Sequence, residues 1–360
     1  MKSTISVLGL LGAVLLLWAC YPAPDVSYST PQETTVNQWL IEFKTTEAEV
    51  QLTMRYRRER DGGGYSQSNT GFGITLDQLT GLTREQVMSA TGTNVNFQLR
   101  RDAGTFNFEG WFKQGNGSGH FTFSSNQAFN GELARLGFGR ASDEQLLSLA
   151  MADTGIAFIN ELKAQGYDTS TVEQLVRMSN HGVRLEYLVG LKSLGYSVKT
   201  TDLVVRMKDH GVSLNFIREF NGLGYTNLSP EELVRTKDHG VSAKYINEFV
   251  AAGYERSSLN EWIKLKDHGV SMKFVSELKE LGYERVPLDE IRRMKDHGVS
   301  ANFIKELKDI GYANLPVEQL IRLKDHGVSA SYIRRMQEKG FNNLSVDEYI
   351  RLKDRGEREE

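Results

Sequence analysis

The sequence predicts an α+β multidomain fold, in which a small antiparallel β domain precedes an α-solenoid of 29-residue two-helix repeats. Two observations carry this prediction. Between residues 36 and 124, apolar and polar residues alternate, which is typical of strands with one buried face. From residue 125 to residue 360, one pattern returns every 29 residues, and a period of roughly 20–50 residues indicates a stacked repeat architecture.

The chain begins like a lipoprotein precursor. Its basic start is followed by an apolar stretch of about 15 residues, which is shorter than the roughly 20 that a membrane-spanning helix needs. The segment LWAC at 17–20 resembles the lipobox of bacterial lipoproteins, with Trp18 where that family has a smaller residue. Cys20 is the only cysteine, so no intramolecular disulfide can form, and we expect lipid attachment there. An ordinary signal peptide or an uncleaved anchor is the alternative.

These features predict a location in the cell envelope. Residues 1–20 are expected to be the signal peptide, and residues 21–35, rich in Pro, Ser and Thr, a flexible tether. In the lipoproteins that the lipobox resembles, an aspartate after the cysteine favours retention at the inner membrane, and this chain has Tyr21 there. We therefore expect a lipid-anchored protein at the outer membrane that faces the periplasm.

The region 36–124 has the pattern of a small β domain. Strands are predicted where apolar residues alternate, at 50–56, 95–99, 106–108 and 121–123. The segment GWFKQGNGSGH between the last two runs suits a wide hairpin turn because it holds four glycines. Thr83 and Gln86 have the spacing of a capping box, which predicts one short helix. The segments DGGG and GNGSG lack the Lys-Ser/Thr of a phosphate loop and are interpreted as turns.

Each repeat is predicted to contain two short helices, and the hexapeptide KDHGVS, which occurs five times, is predicted to end the second helix and to begin the first helix of the next repeat. Ser213 can cap a first helix that Gly224 ends, and Ser229 with Glu232 forms a capping box for a second helix that Gly240 ends. Comparable cap pairs are Ser142 with Gln145, Thr171 with Gln174, Ser258 with Glu261, and Ser345 with Glu348. Helices this short need packing against their neighbours for stability.

One histidine recurs at the end of each second helix, where a basic group faces unpaired carbonyls. The six positions are His181, His210, His239, His268, His297 and His326. We expect a structural role, with no catalytic residue, metal or cofactor. A zinc ion needs three or four ligands at about 2.0–2.3 Å, whereas packed helices lie roughly 8–10 Å apart. Metal or small-ligand binding through these histidines is the alternative.

A second column carries positive charge near the end of the second helices. Its members are Arg177, Arg206, Arg235, Lys264, Arg293 and Arg322. Two interpretations remain open for this column. The cations could form inter-repeat ion pairs on a solvated face with a column of aspartates, Asp209, Asp238, Asp267, Asp296, Asp325 and Asp354, or they could form a charged track for an anionic or extended partner.

The segment GTFNFEGWFKQGNGSGHFTF and the following repeats resemble a family of bacterial envelope proteins, over roughly residues 95–356. Similar segments form extracytoplasmic tails of membrane metallopeptidases of the β-lactam-sensor type. The resemblance implies an envelope-facing interaction or sensing module. It implies no peptidase activity, because this chain lacks the peptidase motif.

Together these patterns predict a non-catalytic envelope lipoprotein that binds a protein or envelope-polymer partner through its helical repeats, in sensing or signalling. A hydrolase with its site in the β domain is the alternative from another class. The net charge of −3 argues against a nucleic-acid partner, which usually selects a basic surface. The sequence leaves the oligomeric state open.

Overall fold

A computed structural model describes residues 37–43, 49–59 and 65–356. The predicted lipid attachment at Cys20, the tether at 21–35 and the turn DGGG at 61–64 lie outside the described residues. The described chain has an α+β arrangement, in which a curled antiparallel sheet of seven strands is followed by sixteen helices of regular length.

The sheet has the order β3-β2-β1-β7-β6-β5-β4, and every neighbouring pair is antiparallel. Its strands are β1 (Gln38–Glu42), β2 (Glu49–Glu59), β3 (Tyr65–Thr75), β4 (Leu79–Thr80), β5 (Thr93–Arg101), β6 (Gly104–Lys113) and β7 (Asn116–Ser125). A 3₁₀ turn (Leu76–Gln78) and the predicted short helix α1 (Arg84–Val87) interrupt the strands. The pairing of β1 with β7 joins the two runs of strands, so the first strand lies inside the sheet, next to the central strand β7.

Strands β1 and β3 were not among the predicted runs. Strand β3 reads YSQSNTGFGIT and offers only Phe72 and Ile74 as large alternating apolar residues. It forms because all of its residues pair with β2, from Glu49↔Thr75 to Glu59↔Tyr65. Backbone hydrogen bonds to β2 therefore stabilise this strand, although its side chains lack the alternation from which strands are predicted.

Aromatic side chains fill the inner face of the sheet. The rings of Phe97 and Phe108 stack with centroids 4.7 Å apart, and Trp39 meets Phe97 edge-on at 5.2 Å. Phe106 and Phe121 extend the same cluster. These contacts are the geometries that aromatic rings prefer in cores, so one continuous cluster ties together strands β1, β5, β6 and β7.

The prediction of a wide hairpin between β6 and β7 was wrong. Lys113 pairs with Asn116, so only Gln114 and Gly115 form the turn, both with positive φ. Such a two-residue turn matches the twist of the strands. Gly119 lies within β7 instead, where a Cβ atom would sit 1.9 Å from the carbonyl oxygen of Glu109. The glycine is therefore needed for close approach of two strands and not for a turn.

The sixteen helices after the sheet have nine residues each, except for α4, which has ten. They are α2 (Gln127–Arg135), α3 (Asp143–Met151), α4 (Ile156–Gln165), α5 (Val172–Asn180), α6 (Leu185–Ser193), α7 (Thr201–Asp209), α8 (Leu214–Gly222), α9 (Pro230–Asp238), α10 (Ala243–Ala251), α11 (Leu259–Asp267), α12 (Met272–Glu280), α13 (Leu288–Asp296), α14 (Ala301–Asp309), α15 (Val317–Asp325), α16 (Ala330–Glu338) and α17 (Val346–Asp354).

The helix ends follow the predicted cap chemistry, with one exception. Ser229 and Glu232 form the expected capping box, as do the pairs headed by Ser142, Thr171 and Ser345. At α11 only half of the box forms. Ser258 accepts a hydrogen bond from the backbone of Glu261, but the Glu261 carboxylate accepts from Lys264 instead. The competing cation on the same helix face explains this difference.

Helices of the same parity pack together. Helix α5 contacts α3 and α7, and α6 contacts α4 and α8, while α3 also packs on strands β6 and β7. This regular spacing places each KDHGVS corner beside the corner of the next repeat. No helix in the described ranges is both long enough and apolar enough to cross a membrane.

Candidate functional site

The repeated histidines lie where the second helix of each repeat ends. Each is the C-cap residue of an odd-numbered helix, from His181 after α5 to His326 after α15. In the repeat that ends at His239, Gly240 has φ +65° and the amide of Val241 donates to the carbonyl of Thr236 at 3.1 Å. This bond closes the helix with a Schellman motif, whose left-handed residue is most easily glycine.

Each histidine is bonded to an aspartate of the following repeat, and we call this series the histidine–aspartate ladder. The Nδ1–H group donates to Oδ1 of the aspartate 28 residues later. The pairs are His181–Asp209, His210–Asp238, His239–Asp267, His268–Asp296, His297–Asp325 and His326–Asp354. Five of the bonds are 2.6–2.8 Å long. Consecutive second helices are thus joined at their C-terminal ends.

The lysine of the hexapeptide, like Lys353 at the same position of the segment KDRGE, has a different partner. Its ammonium group lies over the aromatic ring of the first helix in the same repeat, at 4.5–5.0 Å from the ring centroid. The pairs are Lys208–Tyr187, Lys237–Phe216, Lys266–Tyr245, Lys295–Phe274, Lys324–Phe303 and Lys353–Tyr332. At the first pair, burial lowers the pKa of Lys208 and nearby Arg184 lowers it further. These cation–π contacts hold the two helices of one repeat together.

Four of the tyrosines that follow a first helix form a third series. Each of their hydroxyl groups donates to a backbone carbonyl 32 residues later, at 2.5–3.2 Å. The pairs are Tyr225–Ser257, Tyr254–Val286, Tyr283–Leu315 and Tyr312–Leu344. Tyr167 and Tyr196 occupy the same position in the earlier repeats, but their hydroxyl groups are buried without a hydrogen-bond partner among the described residues. The series thus connects only the later repeats.

The column of positive charge is largely engaged between repeats. Arg177 pairs with Asp202, Arg293 with Glu318 and Arg322 with Asp347, while Arg235 bonds to Asn260. Each of these partners lies 25 residues later in the chain. Lys264 pairs within its own helix, and Arg206 forms no ion pair with any described residue. Three of the six cations thus form the expected ion pair with the next repeat, but not with the aspartate column, because those aspartates bond to the histidines.

The junction between sheet and helices uses different chemistry. The turn after β5 places Asp102 at the start of α4, where its carboxylate accepts a hydrogen bond from the amide of Ile156 at 2.8 Å. A Cβ atom on Gly155 would sit 2.3 Å from that carboxylate, so glycine replaces the usual capping serine. Arg101 pairs with Asp153 at 2.7 Å. Burial raises the pKa of Asp153, and Arg101 opposes that effect.

A cleft of about 550 Å³ opens at this junction. Its lining includes carboxylates and the guanidinium groups of Arg100, Arg101 and Arg184, and burial lowers the pKa of Arg184. The carboxylates of Asp102 and Asp153 already serve as a helix cap and an ion-pair partner. The cleft lining contains no histidine, serine or cysteine that could act with them as nucleophile or base.

The arrangement of the ladder limits its chemistry. A histidine that donates through Nδ1 to a carboxylate can still offer Nε2 to a metal ion. One imidazole is only one ligand, however, and no group of three or more His, Cys, Asp or Glu side chains in the described part of the chain could hold an ion. What the ladder provides is a regular connection between repeats.

Sequence reasoning missed the partner of each histidine, although a signal was present. The histidine column begins at His181, whereas the aspartate column begins one repeat later, at Asp209, with Asn180 before it. Aspartate thus appears only where the preceding repeat offers a histidine. That offset of one repeat is what pairing between neighbours requires.

Comparison with known proteins found no matching family model, no matching curated protein and no matching solved structure.

Proposed function

We propose that this protein is a non-catalytic, lipid-anchored envelope protein whose helices stack as an α-solenoid and bind a protein or envelope-polymer partner, in sensing or signalling. The single observation that carries the proposal is the use of the repeated polar residues. The repeated histidines, aspartates and lysines, and four of the repeated tyrosines, bond to the same or a neighbouring repeat. Residues that could have formed repeated reactive sites thus serve as connectors, which is what a scaffold needs.

The surface that we propose for the partner includes the cations of the column that form no bond to another repeat. Arg206 forms no ion pair with a described residue, and Lys264 pairs only within its own helix. Both belong to the column of positive charge, with Arg235 between them, so an anionic segment lying across three consecutive repeats could contact them together. Complementary charge on extended surfaces favours fast and selective association.

The proposal can be tested by crosslinking in intact cells. The double variant Arg206→Glu/Lys264→Glu is compared with the unchanged protein and with Lys244→Glu, whose side chain is highly exposed on another helix. We expect a discrete crosslinked partner to be lost in the double variant and kept in the control. Equal capture by all three proteins, or capture by none, would contradict partner binding through this surface.

The anchor has its own test. Replacing Cys20 with alanine removes the thiol that lipid attachment requires. We expect Cys20→Ala to move the protein from the membrane fraction to the soluble fraction, because buried methylenes contribute about 0.8 kcal/mol each to membrane binding. Unchanged protein that carries no acyl group at Cys20 would contradict the lipoprotein proposal.

A further inference from the structure

The cleft of about 550 Å³ between the sheet and the first helices, which we call the junction cleft, contains three departures from the repeat pattern. The repeats supply an internal comparison, because equivalent residues lie 29 positions apart. Asp153, Arg184 and Glu186 all line the junction cleft. Each of them differs in chemical type from the equivalent residues of the later helical repeats.

Asp153 has a backbone conformation that the later repeats give to glycine. Its φ is +54°, in the left-handed region, and glycine stands at the equivalent position of all seven later units, from Gly182 to Gly356. A side chain in this region costs free energy that glycine avoids. Residues held in such conformations are concentrated at functional sites. Asp153 therefore brings a carboxylate to the cleft at a cost in stability.

Arg184 replaces a helix cap. The five first helices that follow, α8, α10, α12, α14 and α16, each begin after a capping serine, whereas α6 begins after Arg184, whose side chain makes no cap bond. Loss of a cap destabilises a helix. The first amides of α6 thus have no side-chain acceptor, and they lie at the positive end of the helix dipole. Arg184, Leu185 and Glu186 all line the cleft, so this helix end forms part of its wall.

Glu186 adds a negative charge that the later repeats do not have. The equivalent residues in the five first helices that follow are Asn215, Lys244, Lys273, Asn302 and Ser331. Together with the two departures above, this change converts a repeated helix corner into a charged wall. Local rules that a protein breaks without a local gain are expected at functional sites.

The cleft offers free groups of both charges. Arg184 donates only through Nη1, to two backbone carbonyls, so its other nitrogens have no partner among the described residues. Glu49 and Glu186 also line the cleft, and neither carboxylate forms a hydrogen bond or an ion pair with a described residue. Both signs of charge are therefore available to a ligand.

The total charge of the cleft is nearly balanced. Its lining carries the guanidinium groups of Arg100, Arg101 and Arg184 and the carboxylates of Glu49, Asp102, Asp153 and Glu186. An anionic ligand would face four carboxylates, and a cationic ligand would face three guanidinium groups. Charge complementarity therefore favours a ligand that carries both charges.

The charged groups are close enough to influence one another. Partial burial raises the pKa of Asp153, Arg101 and Arg184 lower it, and Asp102 and Glu186 raise it. Burial lowers the pKa of Arg184, while Glu186 and Asp153 raise it. Groups with perturbed pKa values that share a cleft indicate a candidate binding site.

Apolar side chains complete the lining. Met151 and Phe158 are buried, and Phe72 and Leu185 are partly buried. The volume of the cleft lies within the range of roughly 300–1,000 Å³ that is typical of small-ligand sites. A small ligand with two charges and an apolar side chain therefore fits the chemistry of this lining.

We propose that the junction cleft binds a small zwitterion, carried by a free amino acid or by a short peptide. The ligand carboxylate contacts the free nitrogens of Arg184 and the first amides of α6, where the helix dipole favours an anion. The ligand ammonium group contacts the carboxylates of Glu186 and Glu49. Its apolar side chain lies against Phe72 and Leu185. This site is separate from the column of positive charge and does not depend on the function proposed for that column.

Isothermal titration calorimetry on the full chain in detergent tests the proposal. The probes are leucine, the dipeptide leucylglycine, N-acetyl-leucylglycine, which lacks the ammonium group, and leucylglycinamide, which lacks the carboxylate. We expect each blocked form to bind about tenfold or more weakly than the dipeptide, because a charged group of the cleft then loses its partner. Comparison of leucine with leucylglycine shows whether the zwitterion comes from an amino acid or a peptide.

Variants locate the binding. Arg184→Ser restores the capping serine of the later repeats, so the variant should fold, and it should weaken the binding of leucylglycine about tenfold or more. Glu186→Gln should weaken leucylglycine and leucylglycinamide but not the N-acetyl form, and Glu280→Gln on helix α12 is the control that should leave all binding unchanged.

Three outcomes would overturn the proposal. One is that neither leucine nor leucylglycine binds at millimolar concentration. Another is that the blocked dipeptides bind as tightly as leucylglycine. The last is that Arg184→Ser, with its fold verified by circular dichroism, binds leucylglycine normally.

Discussion

The sheet and the helical repeats reach a stable core by different routes. In the sheet, one aromatic cluster is built from residues that each occur once, such as Trp39, Phe97 and Phe108. In the repeats, the same few contacts return at fixed spacing, such as the bonds of His239 to Asp267 and of Tyr254 to Val286. The sheet therefore depends on particular residues, whereas the repeats share their stability among many similar contacts.

The first and last units of the repeat series differ from the others at the histidine position. At the first end, Ala152 and Asp153 stand where later repeats have histidine and glycine, and Asp153 turns towards Arg101 of the sheet. At the other end, Arg355 takes the histidine position, with Gly356 still in the left-handed region. At the first of these units, an ion pair with the sheet thus takes the place of the histidine–aspartate bond.

The largest effect is expected in the aromatic cluster. Phe108→Ala should lower the free energy of unfolding of the sheet by about 3–5 kcal/mol, since it removes a buried ring and leaves a cavity. Hydrogen exchange read by mass spectrometry should accelerate across all the strands, while helices α8–α17 keep their protection. Acceleration confined to β6 would contradict the idea of one shared cluster.

A second substitution tests close packing within the sheet. Gly119→Ala should destabilise the sheet by about 1–3 kcal/mol, because its Cβ atom would overlap a backbone carbonyl that cannot move freely. The matched control is Gly131→Ala in helix α2, where a Cβ atom meets nothing within 4 Å. That control should raise stability by up to about 1 kcal/mol through helix propensity. Urea denaturation measures the change in the free energy of unfolding for both variants. Changes of the same sign would contradict the role of Gly119 in close packing.

The junction should respond less strongly. Asp102→Ala removes the carboxylate that caps α4, and we expect a loss of about 0.5–2 kcal/mol in the free energy of unfolding. Asp102→Asn keeps an oxygen acceptor and should be close to the unchanged protein. The measurement is thermal unfolding together with hydrogen exchange at the start of α4. If both variants behave alike, the capping role is wrong.

The smallest effect is expected at one step of the ladder. A double-mutant cycle on His239→Ala and Asp267→Ala should give a coupling energy of about 0.2–1 kcal/mol, because both side chains are substantially exposed. Arg355→Ala provides the control, since that position takes no part in the ladder. A coupling energy of zero would mean that the ladder does not contribute to stability and that helix packing alone stabilises the repeats.

Much of the helical region could be predicted because its signals are local. Ser213, Ser229 and Gly240 act within one turn of helix, and the structure places them at the predicted caps and stop. The strands that lack alternation could not be found this way, since β3 exists only through its pairing with β2. The exposed Trp111 was placed in a turn for the same reason, because the register of β6 against β7 was unknown.

By itself, the sequence determined the period of the repeats, their caps and the α+β composition, since these depend on residues close together along the chain. Only the tertiary structure decided which histidine meets which aspartate, how Asp102 caps a helix 54 residues away, and that Trp111 faces solvent beside Leu40. The physical reason is that such contacts depend on the relative placement of separate elements. That placement follows from the packing of the whole chain, and no local pattern records it.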